Sequence, residues 1–285
     1  MIRRLINPVL DRWDWADGLG NFYKAVYGAV LRPRILRDLL HGTWLGHPLH
    51  PLITDVPIGA LTVALILDLL GIVDGANWAT LIGVAGLVVA ALAGFADYQY
   101  TEGRSHRYGA IHASFMTVAL IFYLFSLAVR YGYTPGTAYH ATITAALGYL
   151  LIALGAYIGG DLVFTLGSQV DRHAWRGGGG KWTPVETGDL PERTPTKVKA
   201  GAQTLVLIRT GGTVHALHDT CAHLGCSLSE GKVVGGAIEC LCHGSQFDLT
   251  DGHVIHGPAV YDQPRYEVRG SDGKLEVRRP PSALG

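Results

Sequence analysis

The chain changes its hydrophobic rhythm twice. Residues 1–45 mix apolar and charged positions at short range, with Trp13, Trp15, Phe22, Tyr23 and Tyr27 set among Lys24, Arg32, Arg34 and Arg37. That mixture suits an N-terminal arm of short amphipathic helices lying at a membrane interface. Four long apolar runs follow, at residues 53–73, 78–95, 110–129 and 138–164. Each is near the roughly 20 residues a helix needs to cross a hydrocarbon core, so residues 46–166 are expected to form a four-span transmembrane domain. Residues 167–181 carry the unbroken run Gly177 to Gly180, a composition that resists becoming an element and reads as a linker and hinge. From 182 to 282 the rhythm becomes short alternating segments separated by turn residues, the pattern of β structure. Gly211-Gly212 and Gly235-Gly236 are hairpin signals, and Asp251-Gly252 and Asp272-Gly273 mark later turns. The expected architecture is a membrane α-helical bundle followed by an all-β antiparallel sandwich.

Composition sharpens this picture. With 48% hydrophobic and 16% charged residues, the 285-residue chain is too apolar for two water-soluble domains, and its formal net charge of zero gives no argument for nucleic acid as a partner. Membrane lipid is the expected surroundings. The distribution of charge says more than the sum. Basic residues gather in the arm, between the second and third runs (Arg104, Arg107) and after the fourth (Arg172, Arg176, Lys181), whereas the other two connections hold only Arg130. The positive-inside rule then puts both termini and the β domain on the cytoplasmic side of a multi-pass protein in an inner or plasma membrane. Arg3-Arg4 lacks the apolar segment that an export signal needs soon afterwards.

The chemistry is concentrated in one place. All four cysteines lie in Cys221-Ala-His-Leu-Gly-Cys226 and Cys240-Leu-Cys-His-Gly-Ser245. Paired Cys and His donors suit either a structural zinc ion or an iron–sulfur cluster, in which thiolates hold ferric iron and neutral imidazoles leave the cluster easier to reduce. Zinc modules lack the flanking Leu-Gly-Cys and His-Gly-Ser.

These two loops resemble the Rieske [2Fe-2S] proteins, with the form found in cytochrome bc complexes. The resemblance implies that Cys221 and Cys240 hold one iron and His223 and His243 the other. It further implies a disulfide between Cys226 and Cys242, and a hydrogen bond from Ser245 to a bridging sulfide. Gly257-Pro258-Ala259 resembles the loop that covers the cluster on a third side. Two departures stand out: Phe247 where high-potential members carry a hydrogen-bonding Tyr, and Leu241 where they usually carry Pro. A missing donor disfavours the reduced cluster, so the potential is expected below that of the high-potential proteins, within the class range of roughly −150 to +300 mV. His215, His218, His253 and His256 fall outside the ligand pattern and are expected at the surface or in loops.

Ahead of the first run, His47-Pro-Leu-His50-Pro followed by Pro57-Ile-Gly59 resembles an uncharacterised four-helix bacterial membrane family over residues 40–165. In an up-down bundle His47, His50, Asp97, His106, His112 and Asp161 share the cytoplasmic ends, while Asp68 and His140 lie at the other face. Polar groups in spans ask for a function or a partner. His50 and His112, at matching depth, are the candidate ligands of a b-type haem or the edge of a quinone site; helix capping is the competing role. Rieske oxygenases need a further mononuclear iron domain for which the residues after Cys240 give no room. The sequence therefore reads as a membrane-anchored carrier of single electrons between a cytoplasmic redox partner, unidentified, and a membrane partner, quinone or haem. A quinol-linked oxidoreductase subunit with its own membrane active site and a cluster-based redox sensor are the alternatives.

Overall fold

A computed structural model describes residues 2–174, 180–271 and 274–280. The chain divides into two compact units, residues 1–32 with 49–168, and residues 33–48 with 169–285.

The first unit is helical. α1 (Ile2–Leu10) and α2 (Trp15–Val30) precede four long helices, α4 (Leu49–Leu69), α5 (Val73–Tyr98), α6 (Gly103–Arg130) and α7 (Ala138–Phe164); α3 (Arg34–His41) belongs to the other unit. The four long helices run 21, 26, 28 and 27 residues, long and apolar enough to cross a membrane. They form two tightly packed hairpins, α4 with α5 and α6 with α7. Glycines let the backbones approach: a Cβ at Gly86 would stand 2.9 Å from Pro57, and one at Gly148 2.9 Å from Tyr123. The outer faces remain apolar and exposed, as at Ile66, Ile82, Ile121 and Leu150, the surface lipid requires. The first three helices differ in their bounds from the apolar runs, α5 and α6 starting earlier, at Val73 and Gly103. The first helix ends at Leu69 although the apolar run continues to Val73, because Gly71 takes φ 73° and turns the chain.

Pairing explains the polar residues at the end of the bundle opposite His50. Arg130 makes a twofold salt bridge to Asp68, donates to Asn77 Oδ1 at 3.0 Å and to Ser126 Oγ at 3.1 Å, and the two charged side chains are only 4% and 5% exposed. Removing one partner would leave the other charge buried alone, a loss of about 3–5 kcal/mol. His140 completes a capping box with Thr137 at the start of α7. Arg104 and Arg107 bind the carboxylates of Asp11, Asp14 and Asp17, and His106 stacks on Tyr98, so α1 and α2 are fastened to α5 and α6.

The second unit is a two-sheet β structure. One sheet has the order β1-β10-β9-β4-β3-β2 and the other β5-β6-β7-β8, all antiparallel. The strands are β1 (Thr183–Val185), β2 (Thr196–Ala200), β3 (Gln203–Thr210), β4 (Thr213–His218), β5 (Lys232–Val234), β6 (Ala237–Glu239), β7 (Gln246–Asp248), β8 (Val254–His256), β9 (Arg265–Ser271) and β10 (Lys274–Arg278). β3 and β4 turn on Gly211 and Gly212, at φ 57° and 82°, as the Gly-Gly signal predicts. The Asp272-Gly273 turn and the glycines of the hinge at 177–179 lie outside the described residues. Between the sheets, Val206, Ile208, Leu217, Ile238 and Phe247 form a core that also takes in Cys221 and Cys240.

Candidate metal centre

Two loops of the same design meet at one end of this core. The first leaves β4 in the crossover between the sheets and is closed by an isolated bridge, Thr220 to Ser227. In it Cys221 N donates to Cys226 O at 2.7 Å and Gly225 N to Cys221 O at 3.0 Å. The second joins β6 to β7, where Cys240 N donates to Ser245 O at 2.9 Å and Gly244 N to Cys240 O at 3.0 Å. Each loop turns on a glycine, Gly225 at φ 91° and Gly244 at φ 77°, a conformation that side chains resist. The tight turns aim amides at sulfur: those of His223 and Leu224 at Cys221, and those of Cys242 and His243 at Cys240.

The loops bring the sequence-selected residues together. Cys221 and Cys240 are buried and hydrogen-bonded to one another. The rings of His223 and His243 stand edge to face, 5.0 Å apart. His223 is buried and His243 half-buried. Cys226 and Cys242 are joined by a disulfide that ties the loops across the site. Its sulfurs and that of Cys240 all lie within 4.8 Å of one another, but two of the three are bonded together and cannot also serve as thiolates. Ser245 Oγ, fully buried, accepts from Ala259 N at 3.0 Å, which draws the Gly257-Pro258-Ala259 loop over the site and leaves the hydroxyl proton free to donate. Phe247 is fully buried in the core beside the cysteines.

The electrostatics favour metal. Hydrogen bonding between the two thiols pushes the buried Cys221 up and Cys240 down, so Cys240 is the sulfur that gives up its proton first. Desolvation, helped by His243, lowers His223 to about 3. This imidazole is therefore neutral and ready to ligate at physiological pH. Two buried sulfurs bathed in amide donors, opposite two imidazoles, suit a centre that needs both kinds of donor.

Several contributors were not legible from the sequence. Gln263, 1% exposed, accepts from Ala222 N at 2.9 Å and donates to the carbonyls of His218 and Thr220 at 2.6 and 2.7 Å, fixing the base of the first loop. Asp219 holds the other side of that base through Ser227 Oγ and Ser229 N. His218 is a correction: it is 2% exposed, 3.2 Å from Gln203 Oε1 and stacked edge-on against His173, whose own ring meets Thr220 O at 2.8 Å. Its place in an alternating strand end gave no hint of burial.

A strap from the arm also reaches this site. Asp38 of α3 accepts from Gly257 N at 3.0 Å and pairs with His256 Nδ1 at 2.7 Å, so it pins the covering loop, and His41 lies near enough to His223 to depress its basicity. Charge-assisted bonds of this kind contribute about 1.5–3 kcal/mol, less for a side chain in partial contact with water. Asp38→Ala is expected to destabilise the β unit by about 1–2 kcal/mol and to speed amide exchange selectively at residues 257–259. Hydrogen exchange read by mass spectrometry checks this; unchanged protection there refutes the pinning role.

His50 and His112 come together at one end of the bundle, both half-buried, with ring centroids 6.2 Å apart.

Comparison with known proteins matches both parts. Residues 181–267 match the family described as Rieske [2Fe-2S] domain, and residues 46–172 the family described as predicted membrane protein (DUF2231). The anthranilate 1,2-dioxygenase ferredoxin subunit of Burkholderia cepacia is 33% identical over 98 residues, which are 34% of this chain and 91% of that one. The cytochrome b6-f complex iron-sulfur subunit of Chlorobaculum tepidum is 32% identical over 89 residues, 31% of this chain and 48% of that one. Among solved structures, the ferredoxin of carbazole 1,9a-dioxygenase from Nocardioides aromaticivorans IC177 is similar at 26% identity and TM-score 0.33, covering 34% of this chain and 97% of its own.

Proposed function

Because this chain belongs to the Rieske [2Fe-2S] family and carries a DUF2231 membrane domain at residues 46–172, we infer that it is a membrane-anchored carrier of single electrons. It would exchange them between a redox protein in the cytoplasm and a partner in the bilayer, a quinone or a haem. The observation that carries this reading is the pair of matched loops, which bring two thiols and two imidazoles into one buried site. Cys221 and Cys240 would hold one iron of the cluster, and His223 and His243 the other. Bound there, a [2Fe-2S] cluster supplies one-electron chemistry.

The residues around it have separate tasks. The amides of His223, Leu224, Cys242 and His243 offset negative charge on sulfur. Ser245 would add one donor, while Phe247 offers none. The disulfide and the Gly257-Pro258-Ala259 loop exclude water. His243, the more open imidazole, is the natural port for electrons, and the ring nitrogen that would not ligate iron can release or take up a proton as the charge of the site changes. The positive-inside distribution of Arg and Lys supports a cytoplasmic β unit.

Purified full-length protein in detergent, reduced anaerobically, is expected to give the rhombic, low-average-g EPR signal of a nitrogen-ligated two-iron cluster. Voltammetry is expected to give a potential below that of the high-potential members, within the class range of roughly −150 to +300 mV, because Phe247 offers no donor. Reduced quinol added to proteoliposomes should bleach the visible bands of the oxidised cluster. Stoichiometric zinc with no EPR signal would refute the electron-carrier reading.

A further inference from the structure

The bundle contains an internal repetition that hydropathy does not reveal. In the α4–α5 hairpin, His50 Nδ1 lies 2.8 Å from Ala90 O, and the imidazole sits over Gly94, where a Cβ would come within 2.8 Å of the ring. In the α6–α7 hairpin, His112 Nδ1 lies 2.8 Å from Gly155 O, and the imidazole sits over Gly159, where a Cβ would come within 3.1 Å. The arrangement is the same twice: an imidazole on the first helix, its Nδ1–H given to a carbonyl of the second, and a glycine one turn beyond that carbonyl to make room for the ring.

A carbonyl acceptor on Nδ1 fixes the tautomer. Nδ1 carries the proton and Nε2 presents its lone pair, the state in which metal-binding histidines are held. The two hairpins bring these rings together at one end of the bundle, with centroids 6.2 Å apart and planes at 82°. With metal–nitrogen bonds of about 2.0–2.1 Å, two imidazoles on opposite sides of one ion have centroids roughly 6.3 Å apart. Neither ring hydrogen-bonds to the other in the described residues, so the spacing is not that of a His–His hydrogen bond.

We propose that His50 and His112 are the axial ligands of one haem held between the α4–α5 and α6–α7 hairpins. The choice of haem over a bare ion follows from the donor count. Among the described residues, the only grouping of three or more His, Cys, Asp or Glu donors is the sulfur trio in the β unit. Two imidazoles alone leave the remaining positions around an ion to be filled by the ligand itself. A tetrapyrrole brings four nitrogens and an apolar rim suited to a lipid-facing bundle, whereas zinc takes its four tetrahedral ligands mainly from protein. A bis-imidazole haem is a one-electron centre, the same electron count as the cluster assigned to the other unit. The site stands or falls independently of that assignment.

The test uses full-length protein from haem-replete cells, purified in detergent, in wild-type, His50→Ala, His112→Ala and His223→Ala forms. The wild type is expected to show a Soret band with the sharp visible bands of low-spin iron, and one haem per chain by pyridine haemochrome. The haem is lost in His50→Ala and His112→Ala and kept in His223→Ala. Cluster EPR in the first two variants shows that the chain still folds. Near-infrared magnetic circular dichroism of the wild type reads bis-imidazole ligation without any variant. A wild-type protein that stays colourless in the Soret region after incubation with hemin overturns the proposal. So does haem retained in both bundle variants, or zinc or copper bound at that pair instead.

Discussion

His243→Ala is expected to abolish the cluster, taking iron and acid-labile sulfide toward zero and erasing both the visible bands and the EPR signal. His243 is half-buried while His223, Cys221 and Cys240 are 7%, 1% and 2% exposed, so its loss would open the iron to water on the one side where the buried ligands cannot move to replace it. Metal-binding free energy is also folding free energy where the site does not exist in the unfolded chain, so the variant should unfold at lower temperature and denaturant. The control is His253→Ala. That histidine is also in the β unit, but its side chain is 65% exposed and meets Asp262 at 3.1 Å; cluster and stability should be untouched. Retention of the nitrogen-ligated EPR signal in His243→Ala would remove this residue from the ligand set.

What the sequence disclosed and what it hid follow one physical division. Features with a local period were legible. The apolar runs became α4 to α7, the Gly-Gly pairs became hairpins at 211–212 and 235–236, and the two Cys-His loops met with Cys226 and Cys242 bonded. Where two local rules conflicted, the stronger conformational one prevailed, as when Gly71 ended a helix inside an apolar run.

Polar pairs between distant positions were hidden, because nothing periodic connects their partners. Asp68 and Arg130 are 62 residues apart, yet they neutralise each other inside the bundle. Arg130, which had entered the reading only as a loop charge, is one of the most buried cations of the chain. Asp38 and His256 are 218 residues apart, and their pairing makes α3 part of the β unit although its sequence reads as interfacial arm. His218 and Gln263 belong to the same class: their burial is decided by what folds over them. The His50 and His112 pair stands between these cases. Matching depth was readable from the spans, whereas the carbonyl and glycine that orient each ring appear only once the hairpins pack.

The disulfide brings two physical arguments into opposition, and its removal decides between them. Charge distribution favours the proposed cytoplasmic placement of the β unit, a side on which disulfides are uncommon, and Cys242 is exposed enough for a thiolate to reach. Against reduction stands the geometry of the loops. Cys221 and Cys240, fixed in the core, hold the two loops together, so that when an external thiolate attacks, the released cysteine stays beside the mixed disulfide, attacks it in turn and expels the external thiol, restoring the bridge. The bridge closes a sequence separation of 16 residues, for which chain entropy gives about 3 kcal/mol. The double variant Cys226→Ala/Cys242→Ala is therefore expected to fold with its cluster but with about 3 kcal/mol less stability to denaturant. Its visible bands should bleach faster in air, since the loops can part and admit water. In wild-type membranes trapped with acid and alkylated without reductant, Cys226 and Cys242 are expected to stay unmodified by mass spectrometry. Should both be alkylated, the thiols are free in the cell, and the double variant should then match the wild type in cluster lifetime. Should they stay unmodified while a reporter fused at the C-terminus reads the outer side, the charge argument for orientation fails and the bridge is simply that of an oxidising compartment.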